Sequence, residues 1–419
     1  MKSKSPVTLI IAGAGDRGAT YANYPKAFPK QAKVVGIAEP RAYHRKALAT
    51  AHQIPAASTF TDWREMAAQP RFADAVIIAV QDAMHVEAAV AFANRGYHIL
   101  LEKPMATSAA GCRRIIAATQ KNNVILSVCH VLRYTAYTRA LKRVIDSGAI
   151  GDIVTLQHLE PVGWWHQAHS FVRGNWRNTA ESTFMLLAKS CHDLDWISHI
   201  MGRPCSKVAS FGSLHHFRPE NRPAGAADRC LDCQVEKECP YSAKKIYLGF
   251  LEKGTTGWPV NVIAPEPTPA KVLKALKTGP YGRCVYACDN DVVDNQVVIL
   301  EFDNGSTANF TMTAFTPSGG RRTHICGTRG HIYGDSTTFS VLDFRTGKTT
   351  EHDPRQEDQA VLAGHGGGDN GVIENFVAAV AANNPDLVLS GPEATLESHL
   401  MVFAAEKARL RGQVVRMES

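Results

Sequence analysis

The sequence predicts an α/β protein with two parts, an N-terminal doubly wound parallel sheet and a C-terminal α/β domain whose sheet is mostly antiparallel. Up to about residue 150, short runs rich in β-branched residues alternate with helical periodicity, which is typical of a parallel sheet covered by helices on both faces. From residue 152, long runs of alternating polarity indicate antiparallel strands. A glycine-rich turn directly follows the first strand, as in many doubly wound sheets.

Length and composition indicate a soluble globular protein of two or three domains. The chain has 419 residues, of which 45% are hydrophobic and 20% charged, and this excludes disordered, collagen-like and coiled-coil classes. The net charge of +7 includes no run of five like charges, so a basic pocket for an acidic ligand fits better than a nucleic-acid surface. We expect no membrane span and no secretory signal, and the scattered cysteines favour a cytoplasmic location.

The predicted N-terminal domain covers residues 1–150. Its predicted strands and helices alternate along the chain. The strands are 7–12, 33–38, 75–80, 98–101 and 124–129, and the helices are 18–28, 41–52, 85–96 and 108–122. A further helix over 137–147 ends at Gly148, which places the domain boundary near residue 150.

The predicted C-terminal domain covers residues 151–419. Strands are expected at 152–159, 292–302, 306–315 and 322–326, and helices at 182–202, 371–383 and 392–412. Residues from about 215 to 289 are rich in Pro, Cys and Lys and show little periodicity. Because that is long for a loop within a compact domain, we interpret this segment as an irregular insertion.

Gly13, Gly15 and Gly18 form a G-x-G-x-x-G turn after the first strand. These glycines allow a tight turn, close approach of the backbone to a pyrophosphate and close packing of the following helix. Glu39 ends the second strand about 20 residues later, where its carboxylate can accept hydrogen bonds from ribose hydroxyls. The pattern predicts a dinucleotide site. NAD is favoured over NADP because Glu39 would repel a 2′-phosphate, although Arg41 could partly compensate, and a purely structural turn is the alternative.

The predicted cofactor contacts also include Asp16, Arg17, Arg41, His85, Glu102 and Lys103. Lys103 directly follows the fourth predicted strand. Ligands of open parallel sheets bind outside the carboxyl ends of the strands, so Lys103 is expected where a nicotinamide ring meets the substrate. The alternative is a solvated lysine at a turn.

These motifs resemble those of the Gfo/Idh/MocA family of oxidoreductases. The resemblance rests on G-A-G-D-R-G at 13–18, E-K-P at 102–104, S-G-A-I-G at 147–151 and H-D-L-D at 192–195, and it covers nearly the whole chain. It implies a Rossmann domain followed by an α/β domain whose large open sheet often serves oligomer contacts. It also implies bound NAD(P), a sugar or polyol substrate and a homo-oligomer, either a dimer or a tetramer.

The same resemblance implies roles for individual residues. Lys103 would contact the reacting hydroxyl, a cis bond before Pro104 would orient it, and His192 would be an acid/base group. Family dehydrogenases usually carry an Asp four residues before this histidine, where this chain has Ala188.

Lys189, His192 and Asp195 are spaced three residues apart and are expected on one helix face. If that face lines a cleft, Lys189 and Asp195 bind substrate, and the charge of Lys189 favours neutral His192. A surface row of ion pairs is the alternative.

A dense aromatic and basic stretch occupies residues 164–177, and its substrate-binding candidates are Arg173, Trp176 and Arg177, together with His130 from upstream. Aromatic faces stack on sugar rings, and guanidinium groups bind carboxylate, sulfonate or phosphate oxygens in pairs. An aromatic and basic oligomer interface is the alternative.

This stretch is similar to a subgroup of the family that includes NAD-dependent glycosidases. The implied cycle oxidises a sugar hydroxyl at C3, eliminates the aglycone, adds water and returns the hydride. Lys103, His192, Tyr134 and His169 supply enough acid/base groups, although the sequence does not assign steps to them. The arginines would suit an anionic sugar such as a sulfoquinovoside. A simple NAD-dependent sugar or polyol dehydrogenase and a non-catalytic cofactor-binding regulatory protein are the alternatives.

Cys230, Cys233 and Cys239 form a C-x-x-C-x5-C pattern inside the predicted insertion. Three thiols in so short a segment predict a structural zinc site, with a loop disulfide or loosely packed thiols as alternatives. The fourth ligand is open among His215, His216, Cys205 and Cys284.

Overall fold

The computed structural model describes residues 5–356 and 365–417. It confirms the predicted α/β class, with a six-stranded parallel sheet and a nine-stranded sheet that is mostly antiparallel. The spatial order of the first sheet is β3-β2-β1-β4-β5-β6, so the strand order reverses beside β1. This reversal is the position at which doubly wound sheets bind their ligands.

The N-terminal elements follow the predicted alternation. They are β1 Val7–Ala12, α1 Asp16–Ala27, β2 Ala32–Ala38, α2 Ala42–His52, β3 Thr59–Phe60, α3 Trp63–Ala68, β4 Ala75–Ile78, α4 His85–Asn94, β5 His98–Leu101, α5 Ala109–Lys121, β6 Leu126–Val128 and α6 Ala136–Asp146. The sequence analysis did not predict the short β3 and α3.

Strand β1 shows why this sheet forms. Successive side chains of a strand point to opposite faces. Leu9 and Ile11 belong to one apolar cluster, whereas Ile10 and Ala12 belong to another on the opposite face. Both faces are therefore covered, as expected for a parallel sheet.

The remaining elements build the second sheet and its helices. They are β7 Ile153–Pro161, α7 Trp164–His166, α8 Met185–Ala188, α9 Cys191–Met201, β8 Cys205–Ser213, α10 Ala243–Glu252, α11 Val260–Ile263, α12 Pro269–Thr278, β9 Asn295–Phe302, β10 Thr307–Thr313, β11 Arg322–Gly327, β12 Gly330–Gly334, β13 Phe339–Asp343, β14 Lys348–His352, α13 Gly368–Ala382, α14 Pro392–Arg411 and β15 Val415–Arg416. The order of the nine strands is β14-β13-β12-β11-β7-β10-β9-β8-β15.

Two helices near the C-terminal end of the described chain pack on the parallel sheet or on both sheets. Helix α13 packs on β1 and α1 and contributes Val372, Ile373 and Phe376 to a core of the parallel sheet. Helix α14 packs on β8 and α9 and also contacts α5 and β6. In the residues described, no helix is both long enough and apolar enough to cross a membrane.

Two expectations about the C-terminal domain need correction. The single helix expected at 182–202 is two helices, α8 and α9, separated at Lys189 and Ser190. Lys189 therefore does not share the α9 face of His192 and Asp195. The insertion is also more regular than expected, because α10, α11 and α12 pack around a small apolar core of their own.

Candidate active site

The glycine turn brings β1, α1 and β4 into close contact. Gly13 has φ +94°, and a Cβ there would lie 2.4 Å from the carbonyl oxygen of Ala79. A Cβ on Gly18 would lie 1.9 Å from the carbonyl oxygen of Gly13. Only glycine fits at these two positions, and the N-terminus of α1 at Asp16, an exposed residue, follows the turn directly. This cradle fits a pyrophosphate bound at a helix N-terminus.

Glu39 lies beside this turn and is only 2% exposed. Its carboxylate accepts hydrogen bonds from Ala14 N at 2.8 Å and from Arg41 Nε at 2.7 Å. Burial raises the pKa of Glu39, but these donors outweigh burial and hold the pKa below its ordinary value. Glu39 is therefore a carboxylate at the end of β2, and Arg41 lies over it close to Gly15.

Arg17 is engaged by protein carboxylates. Its guanidinium donates to Glu102 Oε1 at 2.7 Å and to Asp369 Oδ1 at 2.6 Å, which connects α1 to the E-K-P segment and to α13. Tyr21 also contacts the guanidinium and donates its hydroxyl to Glu102 at 2.7 Å. In this arrangement Arg17 compensates two buried carboxylates, and its contact with a cofactor stays a prediction.

His85 packs against the backbone of the E-K-P segment. It is fully buried, and its ring nitrogens lie 2.7 Å from Pro104 O and 3.2 Å from Val80 O. These contacts position the turn that carries Lys103, so His85 acts on the site through this turn.

Lys103 is the centre of the site. The peptide bond between Lys103 and Pro104 is cis, in agreement with the implication of the resemblance. Lys103 Nζ donates a hydrogen bond to Ala188 O at 2.6 Å. This carbonyl belongs to Ala188 at the end of α8. Ala188 is the sequence position at which family dehydrogenases usually carry an Asp.

Helix α7 places His166 near the same lysine. Burial, with the neighbouring charges of Lys189, His169 and Lys103, keeps the pKa of His166 well below its ordinary value. His166 is therefore neutral near pH 7. His166 belongs to the aromatic and basic stretch, but nothing in the sequence pattern distinguishes it there as a site residue.

Helix α9 presents His192 above a buried ion pair. Asp195 accepts hydrogen bonds from Arg133 Nε at 2.7 Å and Nη2 at 2.8 Å, and it lies 3.6 Å from His130 Nδ1. The rings of His130 and His192 are 6.0 Å apart, edge to face. Burial lowers the pKa of His130 to about 4 despite the opposing charge of Asp195. His130, which lies beside Asp195, thus contacts His192 within the fold.

An ion network that the sequence analysis missed surrounds Lys189. Glu160 lies 3.1 Å from Lys189 Nζ and 2.8 Å from Arg321 Nη2. Arg321 also pairs with Asp193, which lies 3.1 Å from His158 Nε2. The available signals were Glu160 near the end of the alternating strand β7, and Arg321, which follows two glycines.

Four predicted residues are engaged by other groups. The Tyr134 hydroxyl lies 2.8 Å from Ser390 Oγ, and His169 Nδ1 lies 2.8 Å from the Tyr247 hydroxyl. Burial lowers the pKa of His169 to about 3. Trp176 packs against an apolar core, and Arg177 pairs with Asp289 through two 2.9 Å contacts.

Arg173 points into the insertion. Its Nε donates to Arg283 O and its Nη2 to Tyr241 O, both at 2.7 Å. The physical reason is the π-helix Gln167–Arg173, which continues directly from α7. It turns His169 and Arg173 toward the insertion, whereas the His166 ring packs edge to face on Trp258 with centroids 4.9 Å apart and still feels the charges of Lys189 and Lys103.

Comparison with known proteins identifies the family. The NAD-binding Rossmann-fold domain of the Gfo/Idh/MocA oxidoreductases matches residues 7–130, and their C-terminal α/β domain matches residues 142–417. The chain belongs to the Gfo/Idh/MocA family. It is accordingly an enzyme of an NAD-binding oxidoreductase family, as the sequence analysis predicted.

Several relatives of this Gfo/Idh/MocA chain have described activities or structures. The putative oxidoreductase YteT of Bacillus subtilis is 25% identical over 343 residues, which are 77% of this chain and 76% of that protein. The 2,7-anhydro-N-acetylneuraminate hydratase of Mediterraneibacter gnavus is 28% identical over 139 residues, which are 33% of this chain and 36% of that protein. Levoglucosan dehydrogenase, solved with NADH and levoglucosan, has a TM-score of 0.73 at 17% identity and covers 99% of this chain and 100% of its own. This last likeness shows a shared fold.

Proposed function

We propose that this Gfo/Idh/MocA enzyme abstracts hydride from a secondary carbinol of a sugar, at C3 of the ring, beside Lys103. The observation that supports the proposal is the position of Lys103, which follows β5, is held by Ala188 O and lies close enough to His166 for its charge to lower the pKa of that ring. The glycine cradle and the Glu39 carboxylate fit NAD, which would accept and return the hydride when bound. The activity named for the hydratase relative, on an anhydro sugar, is compatible with this substrate class.

Residues of the chain supply the proton transfers. Lys103 donates one N–H to Ala188 O, which leaves two N–H groups of its ammonium for a substrate hydroxyl. We assign to His192 the proton transfer at that hydroxyl, and to neutral His166 the removal of a second proton. Lys189, held by Glu160, is the cation whose charge lowers the pKa of His166 most, and we propose it as a further proton donor.

This number of groups favours redox-neutral glycoside cleavage over simple dehydrogenation. A dehydrogenase needs one acid/base group at the carbinol, whereas oxidation, elimination, hydration and reduction require a base for the hydroxyl, a base for C2–H and an acid for the leaving group. Lys103, His166, His192 and Lys189 are sufficient for the longer cycle. Simple NAD-dependent sugar dehydrogenation is the second candidate, and the family membership favours it over a non-catalytic protein.

The structure weakens the argument for an anionic sugar. Arg173 is engaged by backbone carbonyls and Arg177 by Asp289, so neither guanidinium is directed at the site. These two guanidinium groups therefore give no support for an anionic sugar, and a sulfoquinovoside stays a prediction from the sequence.

The decisive experiment incubates the purified enzyme in D2O with catalytic NAD and a panel of nitrophenyl glycosides. We expect deuterium at C2 of the released sugar and no accumulation of NADH. Free ketosugar formed together with stoichiometric NADH would contradict the cycle and leave the dehydrogenase. Incubating the free sugar with enzyme and NAD in D2O controls for exchange after release.

We further propose that the outer face of the nine-stranded sheet is the interface between copies of this chain in a homo-oligomer. Phe211 is 67% and Tyr333 is 52% exposed on this face, with Ile299 between them. Apolar side chains of this size are commonly covered by a partner. Light scattering after size exclusion should give a dimer or tetramer for the natural chain and a smaller species for Phe211→Asp. A monomeric natural chain would exclude this interface.

The cytoplasmic location stays a prediction.

A further inference from the structure

Four cysteines surround one small void inside the insertion. Cys230, Cys233, Cys239 and Cys284 line a cavity of about 20 Å³, and Arg173 forms part of its wall. All ten cysteines, each within the described residues, are free thiols. A buried water occupies roughly 10–15 Å³ by the same measure, so the void accommodates one water-sized particle or one metal ion.

The backbone brings the fourth cysteine to the other three. Arg229 and Arg283 form an isolated antiparallel bridge, and Cys284 N donates to Asp228 O at 2.8 Å. This pairing places Cys284 beside the segment that begins the C-x-x-C-x5-C pattern. Among the four candidates for the fourth ligand, Cys284 lines the void, whereas His216 is engaged by Tyr286 at 3.0 Å.

Cys230 Sγ receives N–H groups. Ala243 N lies 3.4 Å and Arg173 Nη2 lies 3.5 Å from this sulfur. A thiolate is a far better acceptor for such donors than a neutral thiol, and thiolates are the form in which cysteine binds metals. Glu236 also lines the void, but its carboxylate is engaged by the Ser242 hydroxyl.

Arg173 is a buried cation that lacks an anion. Its side chain is 1% exposed and its Nη1 makes no hydrogen bond within the described part of the chain. Its partners there are the carbonyls of Arg283 and Tyr241 and the Cys230 sulfur, with no carboxylate in ion-pair distance. An uncompensated buried charge is strongly unfavourable. A divalent ion bound by four thiolates carries two net negative charges and would compensate it.

We propose that Cys230, Cys233, Cys239 and Cys284 bind one Zn²⁺ as a closed tetrathiolate site and that Arg173 is its counter-charge. In the structure the thiols line the void, but no three metal-ligating side chains among the described residues are close enough together to coordinate one ion. Binding therefore requires the sulfurs to rotate inward to about 2.3 Å from the ion and to release their protons.

The site would stabilise the fold and take no part in catalysis. Four protein ligands leave no open position on zinc. Arg173 ends the π-helix Gln167–Arg173, so the metal would fasten the insertion to the segment that leads back to His166. The proposal is independent of the reaction that the enzyme catalyses.

The first test measures metals in the full-length protein, purified under reducing conditions after expression with added zinc. We expect about one zinc per chain. Cys284→Ser should lose zinc, whereas the matched control Cys288→Ser should keep it, because Cys288 lies outside the void and donates to Cys284 O at 3.2 Å. A folded natural chain without zinc, a chain that carries iron and sulfide, or equal zinc loss in both variants would overturn the proposal.

Two further measurements remain informative if Cys284→Ser fails to fold. Cobalt substituted into the natural chain should show the thiolate charge-transfer absorption of a tetrahedral site, and its absence would count against four sulfur ligands. Arg173→Met should weaken zinc binding by about 10- to 100-fold, with partial recovery in Arg173→Lys, in line with the effect of removing outer-shell partners. Unchanged zinc affinity in Arg173→Met would refute the counter-charge.

Discussion

Replacing Asp195 with asparagine tests the buried ion pair beneath His192. The side chain of Asp195 is 0% exposed and that of Arg133 is 5% exposed, and two hydrogen bonds of 2.7 and 2.8 Å join them. Asparagine preserves the shape but removes the charge, which leaves the guanidinium buried without an anion. Breaking one side of such a pair costs about 3–5 kcal/mol. We therefore expect Asp195→Asn to lower the free energy of unfolding by about 3–5 kcal/mol.

The pair formed by Arg177 and Asp289 provides a matched control. It joins the same two functional groups through two 2.9 Å contacts, but its side chains are 17% and 49% exposed, and Asp289 also accepts a hydrogen bond from Arg283 at 2.7 Å. Because exposed pairs contribute little, Asp289→Asn should cost no more than about 1 kcal/mol. Urea denaturation of both variants, followed by circular dichroism, gives the comparison. Equal losses in the two variants would show that burial does not determine the cost.

Four other predictions follow from the site. His130 is neutral in the fold with a pKa of about 4, whereas its pKa in the unfolded chain is about 6.5. The free energy of unfolding should therefore be fully retained above pH 6.5 and fall by about 3 kcal/mol as the pH drops from 6.5 to 4. Thermal unfolding as a function of pH should show a smaller loss of stability in acid for His130→Gln. Lys103→Ala should reduce turnover by about 100-fold or more and retain NAD binding by calorimetry. Glu39→Ala frees Arg41 and should raise the kcat/KM ratio for NADP over NAD by about tenfold. His169→Phe should retain turnover and lose about 1 kcal/mol of stability, whereas lost turnover in a folded variant would restore its catalytic assignment.

The fold was predictable where local pattern and burial agree. Strands β1 and β5 have the predicted bounds because their residues are apolar and bordered by turns. The polar edge strand Lys348–His352 carries no apolar alternation, and the sequence analysis missed it. The break at Lys189 was also missed, since the apolar residues on either side maintain helical periodicity across it.

The site was predictable where its chemistry lies in one short motif. Lys103 and Glu39 follow strands whose ends meet at one edge of the sheet, so their placement follows from topology. Glu160 and Arg321 come from segments far apart in the chain, and no local spacing indicates that they meet. Arg173 was expected to bind substrate because it is close in sequence to the other aromatic and basic residues. The sequence does not reveal the direction in which a π-helix turns its side chains, and the structure turns Arg173 toward the insertion.

The packing of α13 against β1 has a consequence for how the molecule is assembled. One side of the parallel sheet is completed by Val372, Ile373 and Phe376, which enter the chain long after the strands they cover. During synthesis the N-terminal half therefore leaves the ribosome with part of one apolar face of its sheet uncovered. We expect the core on this side of the sheet to be completed only after α13 has been synthesised.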